Sequence, residues 1–161
     1  MAEWIQPVYD RTDEDVAFAQ EQIQKWIDAK LSGNPVETYE LKGCFNLTDI
    51  NRIEGDIQYI SDRLDELHYP PGTSCKVWER SGLPTARDVK RILSNVKLII
   101  TAYHQQADIP DVPEDMGTFS DINAVEENLF AIKQLLDSMV EGFQKSGMFK
   151  SGAMRMLPIR R

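Results

Sequence analysis

Apolar residues recur along this chain at spacings of three, four and three residues, in four separate stretches. An Asp precedes each stretch, and the apolar residues stand at positions +1, +4, +8 and +11 from it. At 100° per residue these positions share one side of a helix, so each stretch predicts an α-helix with one buried stripe. The stripes are Val16, Ala19, Ile23, Trp26; Ile50, Ile53, Ile57, Ile60; Val89, Ile92, Val96, Ile99; and Ile122, Val125, Leu129, Ile132.

The residues before each stripe predict where the helices begin. Three positions before each Asp stands a Thr or Asn, whose side chain can cap a helix, and an acidic residue in the first turn can bond back to the cap. The pairs are Thr12 and Asp15, Asn46 and Asp49, Thr85 and Asp88, and Thr118 and Asp121. Pro and Gly residues after the first three stripes mark helix ends. The chain therefore reads as four versions of one helix, near residues 13–31, 47–67, 86–105 and 119–145.

The connections between these helices are longer than a tight bundle needs. They also carry apolar residues, which predicts extended segments packed across the helices rather than solvated tethers. These residues are Tyr39, Leu41, Phe45, Val77, Trp78 and Leu83. The predicted fold is all-α, a four-helix bundle built from four related capped helices joined by long extended connections. We favour a closed bundle over an open solenoid because four copies barely make a solenoid. The bundle is expected to fill residues 1–145.

Polar residues also recur at fixed places beside the stripes. Arg52 and Arg91 stand at +3 from their Asp, and Asp56, Asn95 and Asn128 stand at +7. The +7 position lies at the border of the buried arc, where a short polar side chain can bond to the backbone of a crossing segment. Repetition in several helices favours this structural role over a ligand site.

Charge divides the chain into two parts. Residues 145–161 hold five basic residues and no acidic one, a net charge of +5. The remainder holds all 26 acidic residues and 13 of the 18 basic ones, a net charge of −13. Because an acidic surface repels a phosphate backbone, nucleic acid is not expected as a partner of the body.

The last part of the chain, residues 146–161, is predicted to be a docking tail. Ser146 and Gly147 are expected to interrupt the fourth helix, and after them apolar side chains alternate with basic ones. This composition is typical of a segment that binds another protein subunit, either a different one or a second copy of this chain. The predicted partner-binding residues are Met148, Phe149, Lys150, Met154, Arg155, Met156, Leu157, Arg160 and Arg161.

Motifs that carry chemistry do not stand out. The sequence has no Gly-rich phosphate loop, nucleophile elbow or H-E-x-x-H segment. His68 and His104 stand near helix ends without a second ligand one turn away, which favours a structural role. Cys44 and Cys75 lack C-x-x-C spacing and are expected to be reduced thiols. We therefore expect no enzyme activity, cofactor or metal. The sequence predicts neither a signal peptide nor a membrane span, so we expect the protein to be made in a cytoplasm.

Three segments together resemble small proteins and domains from phages and prophages of Firmicutes. Residues 9–16 read Y-D-R-T-D-E-D-V, and match the pattern Y-x-R-T-x-x-D-V. Residues 41–54 match L-K-G-x-x-N-x-x-D-[LI]-N-R-I-E, and residues 84–95 match P-T-x-x-D-x-x-R-I-x-x-N. The resemblance covers roughly residues 9–100 and extends more weakly through the fourth helix.

Such sequences occur among tail and baseplate genes, so the resemblance implies a structural component of the virion tail, made in the host cytoplasm. The expected partners are other phage structural proteins or copies of this chain. The resemblance carries no catalytic residue. The alternative is a cytoplasmic helical binding module, a regulator or assembly chaperone for another phage protein.

Overall fold

The computed structural model describes residues 2–103 and 109–150, with side chains described through residue 142. Four helices account for the regular structure of these residues, and none of them forms a strand. The helices are α1 (Asp13–Leu31), α2 (Leu47–Glu66), α3 (Ala86–Tyr103) and α4 (Phe119–Lys150). The predicted all-α fold with four helices is confirmed.

All four helices begin at the predicted caps. In each, the carboxylate of the repeat Asp accepts a hydrogen bond from the backbone N–H of the cap residue, which satisfies a donor that the helix leaves unpaired. The distances are 2.9 Å for Thr12 and Asp15, 2.8 Å for Asn46 and Asp49, 3.1 Å for Thr85 and Asp88, and 2.9 Å for Thr118 and Asp121. The repeated cap pairs therefore fix where each helix starts.

The fourth helix is longer than the sequence predicted. Ser146 and Gly147 do not interrupt it, and α4 continues through them to Lys150. One Gly inside a helix costs only about 1 kcal/mol relative to Ala, which neighbouring helix formers can offset. The prediction of a helix end near residue 145 is therefore wrong.

The hydrophobic core lies between α2, α3 and α4, which pack against one another. The apolar stripes of these three helices form the core. In α2, Ile53, Ile57 and Ile60 are 0% exposed. The stripe residues of α3 and α4 are also buried, except for Val89, which is half-buried. The first helix is different. It makes no comparably extensive contact with the other three, and Ala19 is its single buried residue.

One close backbone contact attaches the start of α1 to the segment that precedes α2. A Cβ atom at Gly43 would lie 2.1 Å from the carbonyl oxygen of Asp15 and 2.7 Å from the Cα of Val16. Only glycine fits such an approach. Beside it, the Lys42 ammonium bonds to the Asp10 carbonyl oxygen at 2.9 Å and to the Asp15 carboxylate at 3.3 Å. This contact places α1 against the chain without helix–helix packing.

Candidate functional site

The N-terminal arm, residues 2–11, lies without helix or strand across α2 and α4, and polar side chains of both helices hold its backbone. The Ile5 N–H donates to Asp56 at 3.0 Å, and the Val8 N–H donates to Glu126. At Arg11 the side-chain amide of Asn123 pairs with both backbone groups, accepting from the N–H at 3.4 Å and donating to the carbonyl at 2.9 Å. These bonds satisfy backbone groups that no sheet satisfies.

The second arm, residues 72–80, is held in the same way across α2 and α3. Asn95 pairs with both backbone groups of Ser74, at 3.2 and 2.8 Å. Asn51 pairs with both backbone groups of Trp78, at 2.7 and 3.0 Å. Between them, the Lys76 N–H donates to Glu54 at 3.2 Å. An extended connection therefore lies across the helices here, as predicted, but polar side chains hold it. Val77, one of the apolar residues expected to pack, is 90% exposed.

The two arms are held by one repeated device. In each case one helix supplies an Asn and a Glu, which stand at +2 and +5 from its repeat Asp. The neighbouring helix supplies an Arg and an Asp or Asn, which stand at +3 and +7 from its own repeat Asp. We call these sets the first clamp, which holds the N-terminal arm, and the second clamp, which holds the second arm. The first clamp is Asn123 and Glu126 of α4 with Arg52 and Asp56 of α2. The second is Asn51 and Glu54 of α2 with Arg91 and Asn95 of α3.

Glu126 is the centre of the first clamp, and its side chain is 1% exposed. It accepts four hydrogen bonds: from Arg52 at 3.0 and 2.8 Å, from Arg11 at 3.1 Å, and from the Val8 N–H. Asp49 accepts from both arginines as well, at 2.8 and 2.6 Å. A carboxylate has about four acceptor positions, so Glu126 has no position left for a substrate.

Glu54 holds the same place in the second clamp, and its side chain is 2% exposed. It also accepts four hydrogen bonds: two from the Arg91 guanidinium, one from the Lys76 N–H, and one from the Trp78 indole at 3.0 Å. A buried charge is stable only when it is paired and hydrogen-bonded, and both glutamates meet this condition. The arrangement suits a scaffold.

The structure decides between the predicted roles of the +7 residues. Asp56 and Asn95 bind the backbone of an arm, as predicted. Asn128 does not: its amide donates to the carbonyl of Ala124 in its own helix, and its buried Oδ1 has no partner among the described residues. The prediction is wrong there because α3 and α4 do not supply the rest of a clamp. The +2 and +5 residues of α3 are Lys90 and Leu93.

Sequence reasoning missed the +2 and +5 residues. Residues 49–54 read D-I-N-R-I-E and residues 121–126 read D-I-N-A-V-E, so Asn and Glu repeat at the same two places. That identity was the available signal. The prediction could not assign it, because the bonded partners lie far away along the chain.

Asp56 carries the clearest electrostatic perturbation in the clamps. Burial raises the pKa of its carboxyl to about 7, and the charge of Glu126 adds to this, whereas the Ile5 N–H and Arg52 act in the opposite direction. Its Oδ2 has no hydrogen-bond partner among the described residues. The first clamp therefore contains a group that titrates near neutral pH.

The two cysteine thiols, which could act as nucleophiles, are not activated. Cys44 and Cys75 are free thiols, and burial, with help from Glu54, raises the pKa of Cys75 to about 12. A thiol at that pKa stays protonated at neutral pH and is a poor nucleophile. His68 ends α2 in the left-handed conformation at φ 68°, where its N–H donates to the Asp65 carbonyl. His104 lies outside the described residues.

The predicted docking tail is described only in part. Met148, Phe149 and Lys150 lie in the last turn of α4. The other six predicted partner-binding residues lie outside the described residues: Met154, Arg155, Met156, Leu157, Arg160 and Arg161.

The described residues do contain an exposed apolar surface, on α1. We define the α1 face as Ile23, Trp26, Ile27 and Leu31; Ile23, Ile27 and Leu31 are 37%, 46% and 82% exposed. The segment after α1 returns beside it, and an open groove of about 520 Å³ runs between the two. At one side of this surface the ring of Trp26 contacts the ring of Tyr39 edge to face, with the ring centroids 5.2 Å apart. Neighbouring exposed apolar side chains are typical of protein-binding surfaces.

In the described part of the chain, no group of three His, Cys, Asp or Glu residues could hold a metal ion. No helix in the same residues is both long and apolar enough to cross a membrane. No protein-family model matches the sequence, and no curated protein or solved structure matches it either.

Proposed function

We propose that this chain is a structural component of a phage tail or tail-like particle, without enzyme activity, that binds neighbouring virion subunits. The observation that carries the proposal is the structural role of the motif residues. Arg11, Asp49, Arg52, Glu54 and Arg91 all belong to the motifs that resemble tail and baseplate proteins, and all of them hold the arms in place. A motif devoted to scaffolding favours a protein whose activity is to keep a shape.

The charge distribution supports binding to other subunits. The body carries −13 and residues 145–161 carry +5. Opposite charges on separate parts of one chain favour contacts between different molecules and set their orientation. In the proposed particle the tail residues bind an acidic surface, either on another structural protein or on a second copy.

The exposed α1 face supports the same class of function. An apolar helix face that the described residues leave open gains stability when another protein covers it. A cytoplasmic binding module, acting as a regulator or assembly chaperone, would also use such a face. The two functions differ in where the protein is found once particles are complete.

Mass spectrometry of purified particles tests this difference. A structural component is expected in the particles at a fixed ratio to the other tail proteins. A regulator or chaperone is expected in the cell extract and absent from the particles, and that result would contradict the proposal.

The role of the tail is tested by comparing the full chain with a chain that ends at Lys150. This end keeps all of α4, whereas a cut at residue 146 would also remove helical residues. The shortened chain is expected to fold with the same circular dichroism spectrum and to be lost from particles. A matched control replaces Lys25 and Arg80 by Glu, since these two are basic residues of the exposed body surface. If the shortened chain joins particles as well as the full chain does, residues 151–161 are not the anchor.

A further inference from the structure

Helix α3 has a basic outer side, although the body of the chain is acidic. Arg87, Lys90, Ser94 and Lys97 are exposed and recur at spacings of three, four and three residues, so they lie on one side of the helix. The single carboxylate of α3, Asp88, is buried and accepts a hydrogen bond from its cap residue. We call this side the basic face of α3. Its charge is +3, so the rest of the body carries −16 of the body's net −13.

The three cations of the basic face lack an ion-pair partner in the described part of the chain. Arg91, the fourth basic residue of α3, differs from them because Glu54 of the second clamp binds it. Asp111 lines the same groove as Lys97 but forms no ion pair with it. Unpaired cations on one face repel each other, and an acidic partner surface removes this repulsion.

The charge of the basic face restricts its partner. The basic tail, residues 145–161, carries +5 and is repelled by it. A nucleic acid is disfavoured as well, because the −16 of the surrounding body repels a phosphate backbone. An acidic protein surface meets neither objection, and a second copy of this chain supplies one.

Helix α1 carries the acidic surface that matches the basic face best. It has four exposed carboxylates, Asp13, Glu14, Glu21 and Asp28, whereas the described side chains of α2 and α4 include two each. Glu14, Glu21 and Asp28 recur every seven residues and therefore lie along one side, which we call the acidic face of α1. At 100° per residue this side points away from the apolar α1 face. Lys25 is the one cation on this side, and it is already paired with Glu21 at 2.6 Å.

We propose that the basic face of α3 binds the acidic face of α1 on a second copy of this chain. The spacing of the charges is the same on both faces. Lys90 and Lys97 are seven residues apart, as are Glu14 and Glu21, so each pair spans about 10 Å along its helix. Both lysines therefore meet both carboxylates whether the two helices run parallel or antiparallel. All four positions lie inside the helices.

An exposed apolar side chain lies beside the charges on each face. Leu98 of α3 is 40% exposed, and Phe18 of α1 is 51% exposed. Leu98 directly follows Lys97, and Phe18 stands one helical turn after Glu14. Removal of these two side chains from water adds to the electrostatic attraction between the faces.

The proposed contact joins two different faces, so it is head-to-tail. Among the described residues of one chain, α1 and α3 share no ion pair and make no extensive contact, so the contact forms between copies. Each added copy leaves a basic face free at one end and an acidic face free at the other, which allows growth into a ring or a filament. The inference does not rest on the proposed function, because it concerns the purified chain.

Sedimentation velocity at two salt concentrations tests the contact. We expect reversible association of the full chain at micromolar concentrations in about 0.02 M salt, and monomer in about 0.5 M salt, because salt screens exposed charges. A wild-type chain that is monomeric at both salt concentrations would overturn the proposal. Association that is equally strong at both would overturn it too.

Charge reversal tests which faces are used. One variant combines Lys90→Glu with Lys97→Glu, and the other combines Glu14→Lys with Glu21→Lys. Each is expected to raise the Kd of self-association by about tenfold or more, because like charges then face each other. All four side chains are exposed, so both variants are expected to keep the wild-type circular dichroism spectrum.

A mixture of the two variants is expected to associate as wild type does, since the reversed face of each matches the reversed face of the other. Normal association of either variant alone would overturn the proposal. So would a mixture that stays monomeric.

Lys30→Glu combined with Arg80→Glu is the matched control for the lysine variant. Both residues are exposed and lie outside the two faces, and the change in net charge is the same. This control is expected to associate like wild type. An equal loss of association would show that net charge governs it rather than the basic face, and would overturn the proposal.

Two further measurements distinguish other occupants of the basic face. The chain ending at Lys150 is expected to associate as the full chain does, and a loss there, with the lysine variant unaffected, would identify the tail as the binding segment instead. A short DNA duplex is expected not to bind, and binding that the lysine variant loses would identify nucleic acid as the partner instead. These measurements use the purified chain, so their failure leaves the particle experiment standing, and the reverse also holds.

Discussion

Helices α1 and α2 carry apolar residues at the same spacing but lie in different surroundings. Ile57 at +8 of α2 is 0% exposed, whereas Ile23 at +8 of α1 is 37% exposed. The cap pairs of the two helices are equivalent, with Asp15 and Asp49 each bonded to the N–H of its cap residue. The stripe therefore makes each segment a helix, and the rest of the chain decides which stripe is buried.

What holds each helix in place differs accordingly. Apolar burial holds α2, because its stripe lies at the centre of the core with α3 and α4. For α1 the attachments are polar and local. The N-terminal arm leads into it and is held by the first clamp, and Gly43 lies against its first turn. The position of α1 thus depends on a few groups that can be removed one at a time.

The largest expected effect comes from removing the same side chain in both helices. Ile57→Ala leaves a cavity in the packed core and is expected to lower the free energy of unfolding by about 4 kcal/mol. Ile23→Ala removes a side chain that is partly in water and is expected to cost less than about 1 kcal/mol. Urea unfolding at low protein concentration measures both. Equal losses in the two variants would mean that α1 is packed as tightly as α2.

The second prediction concerns the first clamp. Glu126→Gln leaves two arginines of this buried site, Arg11 and Arg52, with only the carboxylate of Asp49 to share. Breaking a buried ion pair by removing one partner costs about 3 kcal/mol or more, so the free energy of unfolding is expected to fall by that amount. Glu127→Gln is the matched control, because Glu127 is the exposed neighbour in the same helix. A loss of under about 1 kcal/mol in Glu126→Gln would show that the clamp contributes little, and that α1 is held by other contacts.

The sequence predicted features that depend on nearby residues. The cap pairs act over three positions, and the stripes follow from helical periodicity, so the helix starts and the core positions of α2, α3 and α4 were found. The predicted buried stripe of α1 was wrong, because Ala19 is the single buried residue of that helix. The +7 residues Asp56 and Asn95 were also assigned correctly, because their border position follows from the same periodicity. Each of these signals can be seen within one helix.

Features that depend on distant partners were missed. Asn123 pairs with the backbone of a residue 112 positions earlier, and nothing local to Asn123 predicts that partner. Glu54 and Glu126 look like ordinary surface glutamates until the arms and arginines surround them. The exposure of Ile23 was missed for the same reason, since the apolar pattern of α1 is that of a helix with a buried stripe.

Gly43 gives the third prediction, through a matched pair of glycines. Gly43→Ala would place a Cβ atom 2.1 Å from the Asp15 carbonyl, so the chain must shift away from α1. A loss of about 2 kcal/mol is expected. In α2, a Cβ atom at Gly55 would have nothing within 4 Å, and Gly55→Ala is expected to raise the free energy of unfolding by about 0.5–1 kcal/mol. Thermal unfolding distinguishes the two, and a neutral Gly43→Ala would mean that this contact does not fix α1.

The smallest effect concerns the protonation of Asp56 in the clamp that holds the arm leading to α1. The pKa of its carboxyl is about 7 in the folded chain, against an ordinary value of 3.8, so between these pH values the folded state holds a proton that the unfolded state has lost. Stability from this group is therefore present at low pH and falls as the pH rises from about 4 to 7. Asp56→Asn keeps an acceptor for the Ile5 N–H and cannot ionise. It is expected to reduce this fall, so that the stability of the variant relative to wild type is higher at pH 8 than at pH 5 by about 1 kcal/mol or more.

Asp62→Asn is the control for this measurement, because Asp62 also accepts from the arm, at the Ala2 N–H, and is only half-buried. Urea unfolding across the pH range is expected to show the wild-type slope in Asp62→Asn and a flatter dependence of stability on pH in Asp56→Asn.

The separate attachment of α1 predicts one further result, which hydrogen exchange measures. Because Asp56 acts on the arm and not on the α2 stripe, its titration should change protection of the Ile5 and Val8 amides from hydrogen exchange before that of the Ile57 amide. Equal changes at all three amides would mean that the arm and the core unfold as one unit, and that α1 is not attached separately.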